Sequence, residues 1–183
     1  MAGIYLHSIE RNSYSNGPGK RLVLWAQGCS IGCPGCWNPE THDTGGTFTT
    51  NDQLIEDLLD SGCEGITFTG GEPFDQGESV IEIGTSARKL GYTSVAFSGY
   101  AYSTLMRKFG IKKLQSAFDV LLTDPYRKGE NYKSVAQALA RKNLTFLSSI
   151  YKKEDFLEIP PFEIFIGTDG EVRTTGLAAP YKR

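Results

Sequence analysis

The sequence predicts an α/β fold, arranged as a partial (β/α) barrel with a C-terminal β-hairpin that extends the sheet. Between residues 4 and 122, segments with the pattern of strands alternate with segments of helical periodicity, which indicates a parallel sheet with right-handed crossovers. The chain has 183 residues, whereas a complete eight-stranded barrel has about 250, so any barrel here must be partial. We expect one domain over residues 1–183, with a core at about 12–130 and an extension at about 143–183.

The individual elements are predicted from periodicity and from end signals. Apolar and polar residues alternate at 4–9, and turn chemistry at 16–19 leads into an apolar run at 21–26. Thr50 and Gln53 frame a capping box for a helix that Gly62 ends. The remaining core elements are strands at 65–69, 94–97 and 118–122 and helices at about 78–90 and 101–109.

The C-terminal part has a different pattern. Two strand-like runs, 162–166 and 172–175, flank the turn pair Asp169-Gly170, which is typical of a β-hairpin. The strand at 4–9 offers the nearest unpaired edge. We therefore expect the hairpin to pair with that strand and to extend the sheet.

Charge and hydropathy exclude two classes of partner. The formal net charge is −2, and no block of Lys or Arg forms a basic stripe, so nucleic acid is not expected as a partner. The N-terminus lacks a signal pattern, and no apolar run is long enough to span a bilayer. We expect a cytoplasmic protein without a membrane partner.

Three cysteines with the spacing C-x3-C-x2-C follow the strand at 21–26 directly, namely Cys29, Cys33 and Cys36. Three thiolates hold only three irons of a cubic 4Fe-4S cluster, whereas a closed cluster needs four ligands. One iron is therefore left open for chemistry. Enzymes that use S-adenosylmethionine as a radical source need such an iron, because the methionine amino and carboxylate groups chelate it.

A zinc knuckle is the alternative interpretation of this loop, with His42 available as a fourth ligand. Structural zinc sites usually present two paired knuckles, whereas this chain has one lone triplet, and that favours the cluster. Cys63 lies far from the triplet, between a helix and a strand. We expect Cys63 to pack in the core as a small apolar residue.

A second motif, Gly70-Gly71-Glu72-Pro73, follows the strand at 65–69 directly. Glycines let the backbone approach a ligand where a side chain would clash, and Glu72 offers a carboxylate for a cationic amine. An ordinary strand-end turn is the alternative for this motif taken alone. Both motif loops come at the carboxyl ends of predicted parallel strands, where ligands bind in such sheets.

Together the motifs carry a family resemblance, through the segments 16–21, 27–41, 69–74, 97–100 and 119–124. Over roughly residues 12–130 the chain resembles the radical S-adenosylmethionine (SAM) family, and within it the activating enzymes that install glycyl radicals. The likeness is closest to the anaerobic ribonucleotide reductase activases. The resemblance implies a barrel of the radical SAM type, a 4Fe-4S cluster and S-adenosylmethionine as cofactors, a glycyl-radical enzyme such as anaerobic ribonucleotide reductase as partner, and a flavodoxin or ferredoxin as reductant.

The resemblance also implies roles for particular residues. Trp37 would pack near the cluster or the adenine, with a plain core tryptophan as the alternative, and Ser98 and Gly99 would border the ribose or simply end a strand. The residues to which binding roles are carried over are Cys29, Cys33 and Cys36 for the cluster, Gly70, Gly71 and Glu72 for the methionine amino group, and Trp37, Ser98 and Gly99 for the rest of the cofactor.

Three positions qualify the resemblance. Asp124 either supplies a polar or cation-binding group at the mouth of the site or caps a turn before Pro125, and we favour the turn. Asn16 stands where activases commonly carry Asp. The tail from about residue 143 is longer than in a minimal reductase activase, which leaves the partner open.

Three functions follow from these observations. The first is an activase that removes a hydrogen atom from a glycine Cα of a partner enzyme. The second is a radical enzyme that acts directly on a peptide or metabolite, with the hairpin closing the open side. The third is a non-catalytic metal-binding module.

Overall fold

The computed structural model describes residues 2–127, 134–168 and 170–176. Its strands form one seven-stranded sheet and a separate two-stranded hairpin. The sheet contains β1 (Gly3–Ser13), β2 (Arg21–Ala26), β3 (Thr47–Thr50), β4 (Gly65–Gly70), β5 (Thr93–Phe97), β6 (Val120–Thr123) and β7 (Asn143–Phe146), and the hairpin contains β8 (Glu163–Ile166) and β9 (Val172–Thr175). The helices are α1 (Asn51–Asp60), α2 (Gly77–Lys89), α3 (Tyr102–Phe109), α4 (Ile111–Ala117), α5 (Val135–Leu139) and α6 (Lys153–Leu157).

The strand order is β3-β1-β2-β4-β5-β6-β7. The four central strands, β2, β4, β5 and β6, run parallel, and β1, β3 and β7 add antiparallel edges. The α/β class with a parallel central sheet is therefore confirmed. Within the described residues the sheet has two free edges, at β3 and β7, and a complete barrel does not form.

The local end signals gave the correct helix start. Thr50 Oγ1 accepts a hydrogen bond from the Gln53 backbone N–H, and Gln53 Oε1 accepts one from the Thr50 N–H, which is the predicted capping box. The apolar side chains of α1, α2 and α4 then cover one face of the sheet. Their buried members include Leu54, Leu58, Val80, Ile83, Ala87 and Leu114, and Cys63, 6% exposed, packs in the same core as predicted.

The expected pairing of the hairpin with the N-terminal strand is wrong. β8 and β9 pair only with each other among the described strands, and the outer side of β1 is taken by β3, a strand that the sequence reading missed. Side chains connect the hairpin to the chain instead: Glu163 accepts hydrogen bonds from the Ser13 hydroxyl at 2.6 Å and from the Tyr14 N–H at 2.8 Å. The predicted turn includes Asp169, which lies outside the described residues.

A fully buried arginine stabilises the opposite, amino-terminal end of the parallel strands. Arg21 donates to the Thr67 hydroxyl at 3.1 Å, to the Ile66 carbonyl at 2.5 Å and to the Pro18 carbonyl at 3.4 Å. Burial lowers the pKa of this guanidinium, because a low-dielectric interior disfavours the charged form. Arg21 thus fixes the turn at 16–19, whose first residue reaches the site. No helix within the described ranges combines the length and apolarity needed to cross a membrane.

Candidate functional site

One cavity at the carboxyl ends of β2, β4 and β5 gathers the residues that the sequence singled out. Parallel strands end at the same edge of a sheet, so the loops that follow them meet there. The cavity is lined by Cys29, Cys33, Cys36 and Trp37 from the loop after β2, by Gly70 at the end of β4 with Gly71 and Glu72 from the loop that follows, and by Ser98 and Gly99 from the loop after β5. All nine residues thus share one cavity.

The three candidate ligand thiols are half-buried at this cavity. The backbone N–H of Cys29 donates to the His42 carbonyl at 3.1 Å, so the loop is closed on itself, and the Asn38 N–H donates to Cys36 Sγ at 3.4 Å. A donor to sulfur stabilises a thiolate. Among the described residues no group of three or more His, Cys, Asp and Glu side chains is arranged to hold a metal ion.

The two glycines of the second motif are required because the two loops pack directly on each other. A Cβ at Gly71 would overlap the Gly28 carbonyl oxygen, and a Cβ at Gly70, whose φ is +101°, would lie 2.5 Å from the Ala26 nitrogen. The Glu72 N–H also donates to the Gly28 carbonyl at 2.9 Å. We predicted that these glycines make room for a ligand; the structure shows a nearer reason, the contact between the glycine loop and the cysteine loop.

Glu72 is the polar centre of the site. Its side chain is buried, with the residue 1% exposed, and its carboxylate accepts from the Phe74 N–H at 3.0 Å, the Ser98 hydroxyl at 2.9 Å and the Gly99 N–H at 2.7 Å. Burial raises the pKa of Glu72, although these three hydrogen bonds work in the opposite direction. Since a carboxylate has about four lone-pair sites, it can still accept one further donor. Ser98 and Gly99 therefore contact Glu72 at the edge of the cavity.

The sequence reading missed a second carboxylate that fixes the cysteine loop. Asp75 accepts hydrogen bonds from the Ser30 N–H at 2.7 Å, the Ser30 hydroxyl at 2.9 Å and the Tyr100 hydroxyl at 2.7 Å. Ser30 is the residue after Cys29, so this contact fixes the backbone beside the first cysteine. In the sequence, the only local signal for this role was the position of Asp75 directly after Pro73-Phe74. In the structure, this segment forms a 3₁₀ turn.

The far wall of the cavity comes from segments that carried no motif. Lys142 lies in the connection from α5 to β7, and its ammonium donates to the Asp124 carbonyl oxygen. Burial lowers the pKa of Lys142. His42 also lines the cavity, and its Nε2 is buried without a hydrogen-bond partner among the residues that the structure describes. Lys142 directly precedes β7, and because β7 pairs antiparallel with β6, the start of β7 lies beside the carboxyl end of β6.

The structure bears on the alternatives that the sequence left open for Trp37 and for Asp124. Trp37 is half-buried at the cavity, with its ring 6.2 Å from that of Tyr126, so it is a wall residue and not a core residue. Asp124 bends the chain at the end of β6 with φ +88°, and its N–H donates to the Tyr100 carbonyl at 3.1 Å. The chain therefore bends at Asp124, and the cap before Pro125 that we favoured stays a prediction.

The end of the hairpin reaches the cavity. Thr175 and Gly176 line it together with Asn16, whose amide donates to the Thr175 hydroxyl at 2.9 Å. The hairpin was expected to extend the sheet at its edge or, under the second function, to close the open side. Its last residues instead form part of the wall.

Comparison with known proteins gives matches over the part of the chain that carries both sequence motifs. The family model described as "4Fe-4S single cluster domain" matches residues 15–144. The pyruvate formate-lyase-activating enzyme of Clostridium pasteurianum is 37% identical over 105 residues, which are 53% of this chain and 44% of that protein. The enzyme of the same name from Staphylococcus aureus is 30% identical over 130 residues, 66% of this chain and 52% of that protein.

The chain thus spans about half the length of the curated relatives it matches. Their names agree with the predicted resemblance to activating enzymes. Among solved structures, QueE from Escherichia coli matches with a TM-score of 0.46 and 14% identity, over 53% of this chain and 52% of that one.

Proposed function

The chain belongs to the 4Fe-4S single cluster domain family, and we propose that it is a radical SAM enzyme that installs a glycyl radical on a partner enzyme. The observation that carries the proposal is the shared cavity, in which three thiols, a buried carboxylate and the glycine loop meet at one edge of a parallel sheet. We assign Cys29, Cys33 and Cys36 to three irons of the cluster, with the fourth iron left for S-adenosylmethionine.

The residues present fit these cofactors. The thiols are half-buried on a closed loop, and one of them already accepts a backbone N–H. The buried Nε2 of His42 has no hydrogen-bond partner within the described part of the chain. An unpaired buried polar atom is costly, and a bound polar group would remove that cost. When bound, the cluster and S-adenosylmethionine supply reductive cleavage of the sulfonium to a deoxyadenosyl radical.

The chain's own residues position this chemistry. Glu72 holds the loops after β4 and β5 together through Ser98 and Gly99 and, in our proposal, directs its remaining acceptor site at the methionine amino group. Trp37 provides an apolar wall for the cofactor. Asp75 keeps the cysteine loop in place through Ser30.

We propose a glycyl-radical enzyme as the partner and a flavodoxin or ferredoxin as the reductant. The motifs resemble those of anaerobic ribonucleotide reductase activases, whereas the relatives reported above are named for pyruvate formate-lyase. Both partner enzymes therefore belong in the test.

One observation favours a second function, direct action on a peptide or metabolite. Thr175 and Gly176 at the end of the hairpin line the cavity, and Glu163 anchors that hairpin by accepting hydrogen bonds from the Ser13 hydroxyl and the Ser15 N–H. A pocket walled on this side by the chain's own hairpin suits a small substrate better than a protein segment.

The test is anaerobic reconstitution followed by electron paramagnetic resonance. The wild-type protein should bind about four irons per chain and, with S-adenosylmethionine, reductant and either partner enzyme, should generate a glycyl radical signal. Replacement of Cys29, Cys33 or Cys36 by Ala should remove iron and cofactor cleavage together, whereas Cys63→Ala, in the core, should keep its iron. Cofactor cleavage without a glycyl radical on either partner would favour the second function, and a colourless protein with one zinc would refute both.

A further inference from the structure

A positively charged surface lies on the connection between β5 and β6. Residues 101–118 of this connection include α3 and α4 and contain no Asp or Glu. Their four basic residues are all exposed, namely Arg107, Lys108, Lys112 and Lys113. Lys113 pairs with Glu78 at 2.9 Å, whereas the other three form no salt bridge with any carboxylate that the structure describes. We call Arg107, Lys108 and Lys112 the basic patch.

The basic patch begins beside the cysteine loop. The Lys108 ammonium lies 4.7 Å from the centroid of the Tyr100 ring, which is a cation–π contact. The Tyr100 hydroxyl is in turn 2.9 Å from the hydroxyl of Ser30, the residue after Cys29. A short series of contacts thus joins the patch to the loop that carries the three cysteines.

Apolar packing holds the helices of the patch at this edge of the sheet. Phe109, the last residue of α3, packs on Phe74 with the ring centroids 5.8 Å apart. Its ring also fills the space next to Gly77, where a Cβ would overlap it. Phe74 and Gly77 follow Glu72 closely in the chain, so the patch is fixed next to the site.

The cysteine loop is open to solvent on the side of the patch. Ser30 and Gly32 are exposed, as are Pro34 and Gly35, while the three cysteines are half-buried. In the proposed function the cluster needs an electron for each cleavage of S-adenosylmethionine, and that electron comes from another molecule. A carrier bound at the patch would stand against the loop that holds the cluster.

We infer that the basic patch docks an acidic one-electron carrier protein, which reduces the cluster through the exposed side of the cysteine loop. This inference rests on the proposed function, since that supplies the cluster and its need for an electron. In the transfer the reduced carrier loses one electron and the oxidised cluster gains it, and no bond forms or breaks. Redox encounters of this kind bury little surface, so complementary charge is the main means of steering and orienting them.

The test compares two reductants on anaerobically reconstituted protein: a reduced flavodoxin with an acidic surface, and photoreduced 5-deazariboflavin, a small uncharged molecule. The rate of cluster reduction by flavodoxin is measured by stopped-flow absorbance at low and high salt. The main variant combines Lys108→Glu with Lys112→Glu. A second variant combines Lys108→Gln with Lys112→Gln, and it serves if the charge reversal fails to fold.

The matched control combines Lys89→Glu with Lys153→Glu, which changes the net charge by the same amount. Lys89 is the last residue of α2, about 18 Å along the helix axis from Gly77. Lys153 begins α6, which packs on Tyr151 close to Thr93 at the start of β5, the opposite end of that strand from the site. Exposed charges separated by more than about 10 Å are largely screened at 0.1 M salt.

At low salt, flavodoxin should reduce the charge-reversal variant about 10-fold more slowly than the wild type and the Gln variant about threefold more slowly, and both should depend less on salt. The control should stay within about twofold of the wild type. With 5-deazariboflavin, every variant should cleave S-adenosylmethionine and generate the glycyl radical as the wild type does, because this reductant carries no charge.

Equal slowing in the control would assign the effect to net charge, and an unchanged rate in the charge-reversal variant would exclude docking at the patch. Either result overturns the inference and leaves the proposed function intact. A glycyl radical that the charge-reversal variant loses with 5-deazariboflavin as well would assign the patch to the glycyl-radical enzyme and would also overturn the inference. A fully reconstituted wild type that cleaves no S-adenosylmethionine with 5-deazariboflavin would overturn the proposed function and the inference with it.

Discussion

Replacement of Glu72 by Gln is the sharpest test of how the site is built, because it changes one atom of a buried carboxylate that accepts from three donors. If the new NH₂ takes the position of Oε2, it faces the Gly99 N–H at 2.7 Å, and two donors oppose each other. If it takes the position of Oε1, it faces the Phe74 N–H at 3.0 Å, and only the Ser98 hydroxyl can rotate to adapt. At least one buried donor therefore loses its acceptor in either orientation.

A buried donor without an acceptor costs about 1–3 kcal/mol, so we expect the free energy of unfolding of the cluster-free protein to fall by about that amount. Urea denaturation with an unchanged m-value would measure it. The matched control is Glu78→Gln on α2, where the carboxylate is 74% exposed and pairs with Lys113 at 2.9 Å. That variant should lose less than about 1 kcal/mol. If Glu72→Gln lost no more stability than the control, the carboxylate would not be organising the two loops.

The difference in stability between the wild type and the Glu72→Gln variant should depend on pH with a definite sign. Burial raises the pKa of Glu72 above its ordinary value of 4.5, so the folded protein binds this proton more tightly than the unfolded chain does. The wild type then gains stability as pH falls through the raised pKa towards 4.5, and a Gln at this position cannot. The difference in unfolding free energy, wild type minus variant, should therefore grow as pH is lowered. A difference that shrank on acidification would contradict the raised pKa.

Three further predictions concern the contact between the two loops, the cap of α1 and the anchor of the hairpin. Gly71→Ala places a Cβ against the Gly28 carbonyl, so the loops must separate and iron per chain after reconstitution should drop clearly; full iron binding would show that the loops can shift without consequence. Thr50→Ala removes the acceptor of the Gln53 N–H and should lower the free energy of unfolding by about 0.5–2 kcal/mol, whereas an unchanged denaturation midpoint would exclude a contribution from the cap. Glu163→Gln weakens the anchor of the hairpin, so amide hydrogen exchange should become faster in β8 and β9 but not in the central strands; unchanged exchange there would show that other contacts hold the hairpin.

Several elements were predictable because their causes lie within a few residues. The capping box at Thr50 fixes the start of α1 through contacts three residues apart, and the apolar run of β2 has the bounds that its composition predicted. The alternation of strands and helices was sufficient for the parallel order of the centre, because crossovers are right-handed and short. That order in turn placed both motif loops at the same edge of the sheet.

The outer pairings were not predictable in this way, because they depend on competition between distant segments. The hairpin at 163–175 was assigned to the edge of β1, but Thr47–Thr50 already pairs there, and no local signal ranks the two candidates. The pairing of β7 with β6 likewise joins distant segments, since Thr123 and its partner Asn143 are 20 residues apart. This pairing brings Lys142 to the cavity. An edge strand presents unpaired N–H and C=O groups that accept any suitable partner, so only the assembled chain decides which one binds.

The two motifs also combine features that follow from local sequence with features that follow from long-range packing. The spacing of Cys29, Cys33 and Cys36 predicts a cluster, because three thiolates can hold three irons of a cubic cluster and leave one open. The glycines and Glu72 were expected to face the ligand, yet the contacts that require them run to Gly28, Ser98 and Gly99. The sequence determined which residue types the site contains, since these follow from short-range spacing and chemistry. Only the tertiary structure decided how each one is satisfied, because a buried polar group takes the partners that long-range packing brings within reach.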